Sequence, residues 1–469
     1  MNANNGNSNS TEQEVASTKK MVSYAFGWVL SVHLIVAFDS YIFYFYEVEV
    51  GLPILLVSLA IVIFTLWTII ISPILGYLTD RPFKWSKKYG FRTPWIVLSA
   101  IPALLLYILV YIPPDIDVKS NPWPVFWYFV LISCIFEALF SVYRQHYSGI
   151  YPMLFRQDAE RKKSAVITFL ISNPIILLLS LFPIYFIVYG DRSTFIFTAL
   201  ITAGILAVCL ALTIPGITES KEMKQKFFQG YHASVEKIPF LKVCGITIKS
   251  KNFMVSLISF AFAYVAMMLY VASYIYFFKD VLELPLTSAL APVLGGFIAM
   301  TISMPLWNRL SRKHDHARIY IIGLILSAIT HLPFLWITTV EEYTIVSIFR
   351  GVATSCFMFM LQPISADVYD EITLKCERHL EATLHGLRNI IFRSSAIFIA
   401  IILGWIHIAT MYNPNPDAKQ PPMAVWGIRV HTGLIPAILF FLSFCIMLFY
   451  DMTGEKSLIT KKLLQEKGL

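Results

Sequence analysis

Asp39, Glu137, Arg144, Arg350 and Arg393 are ionisable side chains set inside long apolar stretches, and they are the residues of this chain most able to do chemistry. Asp39 lies in LIVAFDSYIFYF, Glu137 in LISCIFEALF and Arg393 in IIFRSSAIF. Arg144 follows Glu137 by seven residues, two turns of a helix, so the pair would share one face. A charge at the middle of a bilayer costs at least roughly 2.5–3.5 kcal/mol, so residues of this kind mark a functional site by default. The chemistry they suit is ion and substrate binding. Asp39 or Glu137 would take up and release a coupling proton, and Arg144 and Arg393 would hold polar or anionic groups of a substrate. The competing uses are a buried structural ion pair and, for Arg144 and Arg350 near their helix ends, snorkelling to the headgroups. Tyr41 and Tyr44, close to Asp39, could stack sugar rings and bond hydroxyls, or belong to an interfacial aromatic belt. His33, His331 and His407 stand isolated and read as hydrogen-bonded between helices.

The elements that must carry these residues follow from composition. Of the 469 residues 57% are hydrophobic and only 14% charged, with a mean hydropathy of +0.66, against about 25% charged in a soluble domain. A bilayer core of roughly 30 Å needs about 20 apolar residues per helix. Twelve runs of that kind lie near residues 22–46, 53–78, 94–113, 124–150, 165–189, 194–216, 253–278, 284–307, 319–338, 344–365, 386–412 and 430–450. The spacing predicts an all-α polytopic membrane protein of 12 transmembrane helices. Residues 1–20 are polar, without an apolar signal core, and read as a disordered tail.

The net charge of +8 would suit nucleic acid, but its placement points to the lipid bilayer as partner. Twenty-nine of the 37 Lys and Arg residues fall in the two tails and alternate loops, and five (Lys119, Arg192, Lys279, Lys419, Arg429) fall on the other side. The positive-inside rule then places both termini in the cytoplasm of a cell-membrane protein. None of the six cysteines falls in an external loop, and there is no CxxC, Cys/His cluster, HExxH, GxSxG or P-loop. No disulfide, metal, cofactor, enzymatic activity or nucleic-acid partner is therefore expected.

Residues 218–252 form the longest internal polar stretch and read as a cytoplasmic linker between helix bundles at 21–217 and 253–450, with a tail at 451–469. The bundles resemble each other. Ser40-Tyr41-Ile42-Phe43-Tyr44-Phe45 recurs 233 residues later as Ser273-Tyr274-Ile275-Tyr276-Phe277-Phe278, and Pro73 recurs 232 residues later as Pro305. Two matches at nearly one offset indicate duplication, giving two six-helix pseudo-repeats.

Pro73-Ile-Leu-Gly76-Tyr-Leu-Thr-Asp80-Arg81, followed by Lys87-Lys88-Tyr-Gly90-Phe-Arg92-Thr-Pro94-Trp95, resembles the loop signature of the major facilitator superfamily. More narrowly, the chain resembles the glycoside-pentoside-hexuronide:cation symporter family, melibiose permease-like proteins. That resemblance rests on Phe45-Tyr46-Glu47-Val48-Glu49-Val50-Gly51-Leu52, on Tyr147-Ser-Gly-Ile-Tyr-Pro152 followed by Asp158-Ala-Glu160-Arg161, on Ser365-Ala366-Asp367-Val368-Tyr369-Asp370-Glu371 and on Gly427-Ile428-Arg429. It implies the major facilitator fold, alternating access and symport of a sugar, glycoside or uronide. It also implies gating roles for Gly76, Asp80, Arg81, Asp367 and Asp370, and a place for Thr68, Ser72 and Tyr147 beside substrate or cation. The chain departs from the family where Thr68 and Ser72 replace two aspartates that coordinate Na⁺, and where Arg144 aligns with an acidic residue; Arg393 keeps a cation in helix 11. Two hydroxyls supply only neutral dipoles, so coupling to H⁺, or none, is expected instead of Na⁺. A carrier of lysolipids or other amphiphiles, and a non-transporting sensor on the same scaffold, are the alternative readings.

Overall fold

A computed structural model describes residues 17–79, 83, 86–155, 157–220, 224, 240–311, 313–376, 381–452 and 454–466. Most of the expected linker, and nearly all of the N-terminal tail, lie outside the described residues. Among the described residues twelve helices are long and apolar enough to cross a membrane. They are α1 (Thr18–Glu49), α2 (Ile54–Thr79), α3 (Thr93–Val110), α4 (Trp123–Leu154), α5 (Lys163–Phe186), α6 (Arg192–Ile217), α7 (Lys251–Val281), α8 (Leu286–Ser311), α9 (His316–Leu335), α10 (Val340–Cys376), α11 (Gly386–Ala409) and α12 (Pro422–Met447). Backbone polar groups have no water to bond in hydrocarbon, and a helix satisfies them within one segment.

The helices pack as two sets of six. In the first, α1 lies against α5 and α6, and α4 against α2 and α3; in the second, α7 lies against α12, and α10 against α8 and α9. The sets meet along α1 with α7, α2 with α11, and α5 with α8. The pseudo-repeat is written into the backbone. Both α1 and α7 finish on a widened turn, Phe45–Glu49 and Phe277–Val281. Each turn is closed by a bond five residues back, Val50 N–H to the Phe45 carbonyl at 2.9 Å and Leu282 N–H to the Phe277 carbonyl at 3.0 Å. A left-handed residue follows in each, Gly51 at φ +80° and Glu283 at φ +53°. All of these features recur at the 232 offset of the two prolines.

Only the first repeat has a glycine where that turn needs a positive φ. A side chain in this conformation costs roughly 1–2 kcal/mol. The Glu283 carboxylate is paired with an exposed lysine, Lys419 at 3.5 Å, which contributes little. Glu283→Gly is expected to stabilise the protein by about 1 kcal/mol, seen as a higher melting temperature in detergent. An unchanged or lower value would show that the turn is not strained.

Twelve crossings bring both described ends of the chain to one face, here the basic face after the Lys and Arg that the sequence places in its loops. There the Glu219 carboxylate accepts from the N–H groups of Phe91 (2.8 Å), Arg92 (2.6 Å) and Thr93 (3.1 Å), tying the end of α6 to the start of α3, where the helix dipole favours an anion. The polar segment after residue 365, read from sequence as a loop, continues α10 to Cys376. Ala, Glu, Leu and Lys there sustain a helix beyond the bilayer. A further helix, Gly454–Glu466, folds beneath it, and Ser457 (2.6 Å) and Lys461 (2.8 Å) both reach the Asp367 carboxylate. Asp451, just outside α12, is held below the usual carboxylate range by its hydrogen bonds with Asn252 and Lys251 and by the charge of Lys456.

Candidate substrate and ion site

Helix α4 presents Glu137 and Arg144 on one stripe, as their spacing requires. Arg144 Nη2 donates to Glu137 Oε1 at 3.1 Å, and Arg393 of α11 donates its Nη1 to the same oxygen from the other repeat. The Glu137 side chain is 5% exposed, whereas the two arginines are 24% and 22% exposed. A buried carboxylate thus serves two partly exposed guanidinium groups. Asp39 of α1 forms no hydrogen bond among the described residues, yet feels the charges of Glu137 and Arg393. Two acids and two bases therefore gather between the repeats, one acid without a hydrogen bond among the described residues.

Aromatic rings pack beside this set, while Ser141 and Gln145 add polar groups on the same stripe of α4. Phe38 packs on Phe64 and Phe136 at 5.4 Å each, Phe136 on Phe140 at 5.7 Å, and Arg144 lies 5.0 Å above the Phe140 ring. From the other repeat Tyr264 stacks on Phe392 at 4.9 Å, next to Arg393 in sequence.

The remaining candidates fall in different places. The Tyr41 hydroxyl meets that of Tyr274 at 2.5 Å across the seam of the repeats, and Tyr44 sets its ring edge-on to Tyr276 at 5.3 Å. Thr68 returns its hydroxyl to the Phe64 carbonyl of its own helix at 2.9 Å, and Ser72 accepts from Ser141 at 2.8 Å. Tyr147 is fully buried, stacked on Tyr24 at 4.6 Å, and donates to the Tyr24 carbonyl at 2.7 Å. Arg350 is not joined to the central set; it lies 3.9 Å over the Tyr270 ring, whose hydroxyl pairs with Tyr343 at 2.9 Å. Gly76 faces the Gln145 side-chain amide. Asp367 is engaged by the C-terminal helix, and Asp370 lies half-buried on the same turn of α10. Asp80 and Arg81 lie outside the described residues.

Sequence reasoning passed over a second cluster of charge, near the face opposite the basic loops. His407, isolated in sequence, is not isolated in space: its Nδ1 lies 2.7 Å from Glu47 Oε1 and its Nε2 lies 3.4 Å from Nε2 of His431. Tyr276 donates to Glu47 Oε2 at 2.7 Å. Glu47 was visible only as part of an aromatic, Gly-Leu motif, and its partners lie on two other helices, so spacing alone carried no signal. Hydrogen bonds between the repeats concentrate from Glu137 toward this face, including Ser58 to the Ala400 carbonyl at 2.9 Å, so this end of the seam is shut.

Residues 23–454 match the model of a family described as MFS/sugar transport protein. Among curated proteins the chain is similar to sodium-dependent lysophosphatidylcholine symporter 1 of Mus musculus, 20% identical over 442 residues that cover 85% of this chain and 79% of that one. It is also similar to inner membrane symporter YicJ of Escherichia coli, 28% identical over 113 residues, 24% of this chain and 23% of that one. Among solved structures a mutant of the nucleoside transporter NupG superposes with a TM-score of 0.64 at 10% identity, covering 92% of this chain and 100% of that one. At that identity the likeness concerns the fold.

Proposed function

The chain belongs to the family of MFS/sugar transport proteins, and from that premise we propose that it is an H⁺-coupled symporter for an amphiphile with a charged, phosphate-bearing headgroup. It is a membrane transporter of the major facilitator type; the substrate and the coupling ion are the proposal. The observation that carries it is the Glu137 carboxylate shared by Arg144 and Arg393 across the seam, faced by Asp39.

A phosphate entering this set competes with Glu137 for two guanidinium groups, whose fork geometry suits its oxygens. A cationic headgroup end then has Asp39 and Glu137 to face. The aromatic rings suit an acyl chain, whereas a sugar needs a polar partner for most of its hydroxyls. Similarity to proteins named lysophosphatidylcholine symporters over 85% of the chain supports the same class. A uronide, the substrate class implied by the glycoside-pentoside-hexuronide resemblance, is the second reading, and the same pair of arginines favours it over a neutral glycoside.

Proton coupling is supported by the loss of negative charge where Thr68 and Ser72 stand in place of the sodium-binding aspartates of the resembled family, since two hydroxyls offer a cation only neutral dipoles. Asp39 and Glu137 are then the exchangeable acids. Sodium, on which the mouse relative depends by its name, is the alternative ion. The basic face is assigned to the cytoplasm by the distribution of Lys and Arg, the six-helix bundles at 21–217 and 253–450 are the rocking bodies, and Asp367 with its C-terminal helix contributes to the cytoplasmic gate.

The test is uptake into proteoliposomes of labelled lysophosphatidylcholine, a glucuronide and a neutral glycoside, under separately imposed H⁺ and Na⁺ gradients. Lysolipid uptake driven by H⁺, and lost in Asp39→Asn, is expected. Uptake driven by Na⁺ alone would overturn the coupling, and uptake confined to glucuronide would move the substrate to the second reading.

A further inference from the structure

The Glu47–His407 contact joins the two repeats at the face opposite the basic loops, 8 residues and about 12 Å along α1 from Asp39, and the transport reading above makes no use of it. Glu47 and His407 are each 2% exposed and His431 is fully buried. The relay continues from His431 Nδ1 to the Ser273 hydroxyl at 2.7 Å, and that hydroxyl lies 2.6 Å from the Leu269 carbonyl oxygen.

With one hydrogen in each of these contacts, the His407–His431 contact at 3.4 Å included, the order of donors counts the protons. A carbonyl oxygen only accepts, so at 2.6 Å the Ser273 hydrogen must lie on the bond to Leu269. Ser273 therefore accepts from His431, whose hydrogen sits on Nδ1. In a neutral His431 the Nε2 is then an acceptor, and His407 supplies the hydrogen from its own Nε2. That leaves the Nδ1 lone pair of His407 directed at Glu47 Oε1. An acceptor facing an acceptor at 2.7 Å is repulsive, so one more proton must lie between them, on the imidazole or on the carboxyl.

The other charged groups packed here are engaged elsewhere. Asp280 is paired with Lys279 at 2.9 Å and accepts from Tyr412 at 2.8 Å, and the Tyr412 ring stacks on His407 at 4.4 Å. Glu49 accepts from the Gly190 N–H at 3.0 Å, and Arg192 is bound to the backbone carbonyl of Glu49 at 2.6 Å. Tyr276 already uses its hydrogen on the second Glu47 oxygen. Among the described residues no neighbour is left to provide the missing hydrogen.

We propose that the Glu47–His407 contact is a proton-binding site that locks this face of the transporter shut: one proton bound between α1 and α11 holds the repeats together, and its loss opens the seam. Closure thus takes up a proton. The closed state is favoured at low pH and given up as pH rises, with the closed-to-open ratio changing at most about tenfold per pH unit for a single proton.

The experiment places nitroxide labels on the full-length protein at Lys119→Cys and Asp417→Cys, exposed on this face in opposite repeats, with the native cysteines replaced. Electron–electron distances are measured in nanodiscs at about pH 5 and about pH 8. One short-distance population is expected at the lower pH, with a longer one growing at the higher. Glu47→Gln should remain short at both, because its amide N–H donates to His407 Nδ1 as the bound proton does, and His407→Phe should lose the response while keeping the ring against Tyr412. An unchanged distribution in the parent, or a full pH response in either variant, would overturn the proposal. The measurement contains no substrate and no gradient, so it stands or falls separately from the transport reading.

Discussion

Arg393→Ala is expected to lower uptake about tenfold to a hundredfold, as a hydrogen bond to a charged group contributes about 1.5–3 kcal/mol and each 1.4 kcal/mol is about tenfold. The guanidinium of Arg393 is the contact from the second repeat to Glu137, and its removal takes away both a substrate ligand and the link between the moving bodies. Arg144 remains on Glu137 at 3.1 Å, so the carboxylate is still paired and the fold should persist. Arg393→Lys keeps the charge without the fork and should lose less. The decisive comparison is a double-mutant cycle with Glu137→Ala in the uptake assay. A coupling energy above about 1 kcal/mol is expected for residues in contact, and independent effects of the two substitutions would remove this pair from the site.

Gly351→Val should have the largest effect on stability. Gly351 of α10 faces Gly296 of α8 so closely that an added Cβ would stand 3.0 Å from the Gly296 carbonyl carbon and 3.1 Å from its Cα. Backbone cannot rotate aside as a side chain can, so the helices must separate, at a cost at the upper end of the usual range of about 1–3 kcal/mol for overpacking. Small residues are what allow membrane helices this proximity, since lipid offers no hydrophobic force to hold them together. Loss of the monodisperse peak on heating, many degrees below the parent, is the readout. Gly204→Ala in α6 is the control, for nothing lies within 4 Å of its added Cβ, and it should be neutral or stabilising by about 1 kcal/mol. Equal stability of the two variants would mean that the α8–α10 approach is not tight.

Whatever depends on neighbours along one helix was legible in the chain before any packing was known. Apolar run length set twelve spans because the bilayer thickness is fixed. Seven-residue spacing put Glu137 and Arg144 on one stripe, and the recurrence of Pro73 as Pro305 revealed the repeat that the widened turns at Phe45–Glu49 and Phe277–Val281 now display in the backbone. Which distant side chains meet was decided by the packing of the helices. Arg393 comes to Glu137 from 256 residues away, and Glu47 meets His407 across 360 residues. Tyr147 was read for the site and lies in the core against Tyr24, because the face a helix turns inward depends on its partners. One cause is common to these cases. Hydrophobicity acts on each segment separately and is legible locally, whereas a buried charge must find its counter-charge wherever the packing of whole helices brings one within hydrogen-bonding distance.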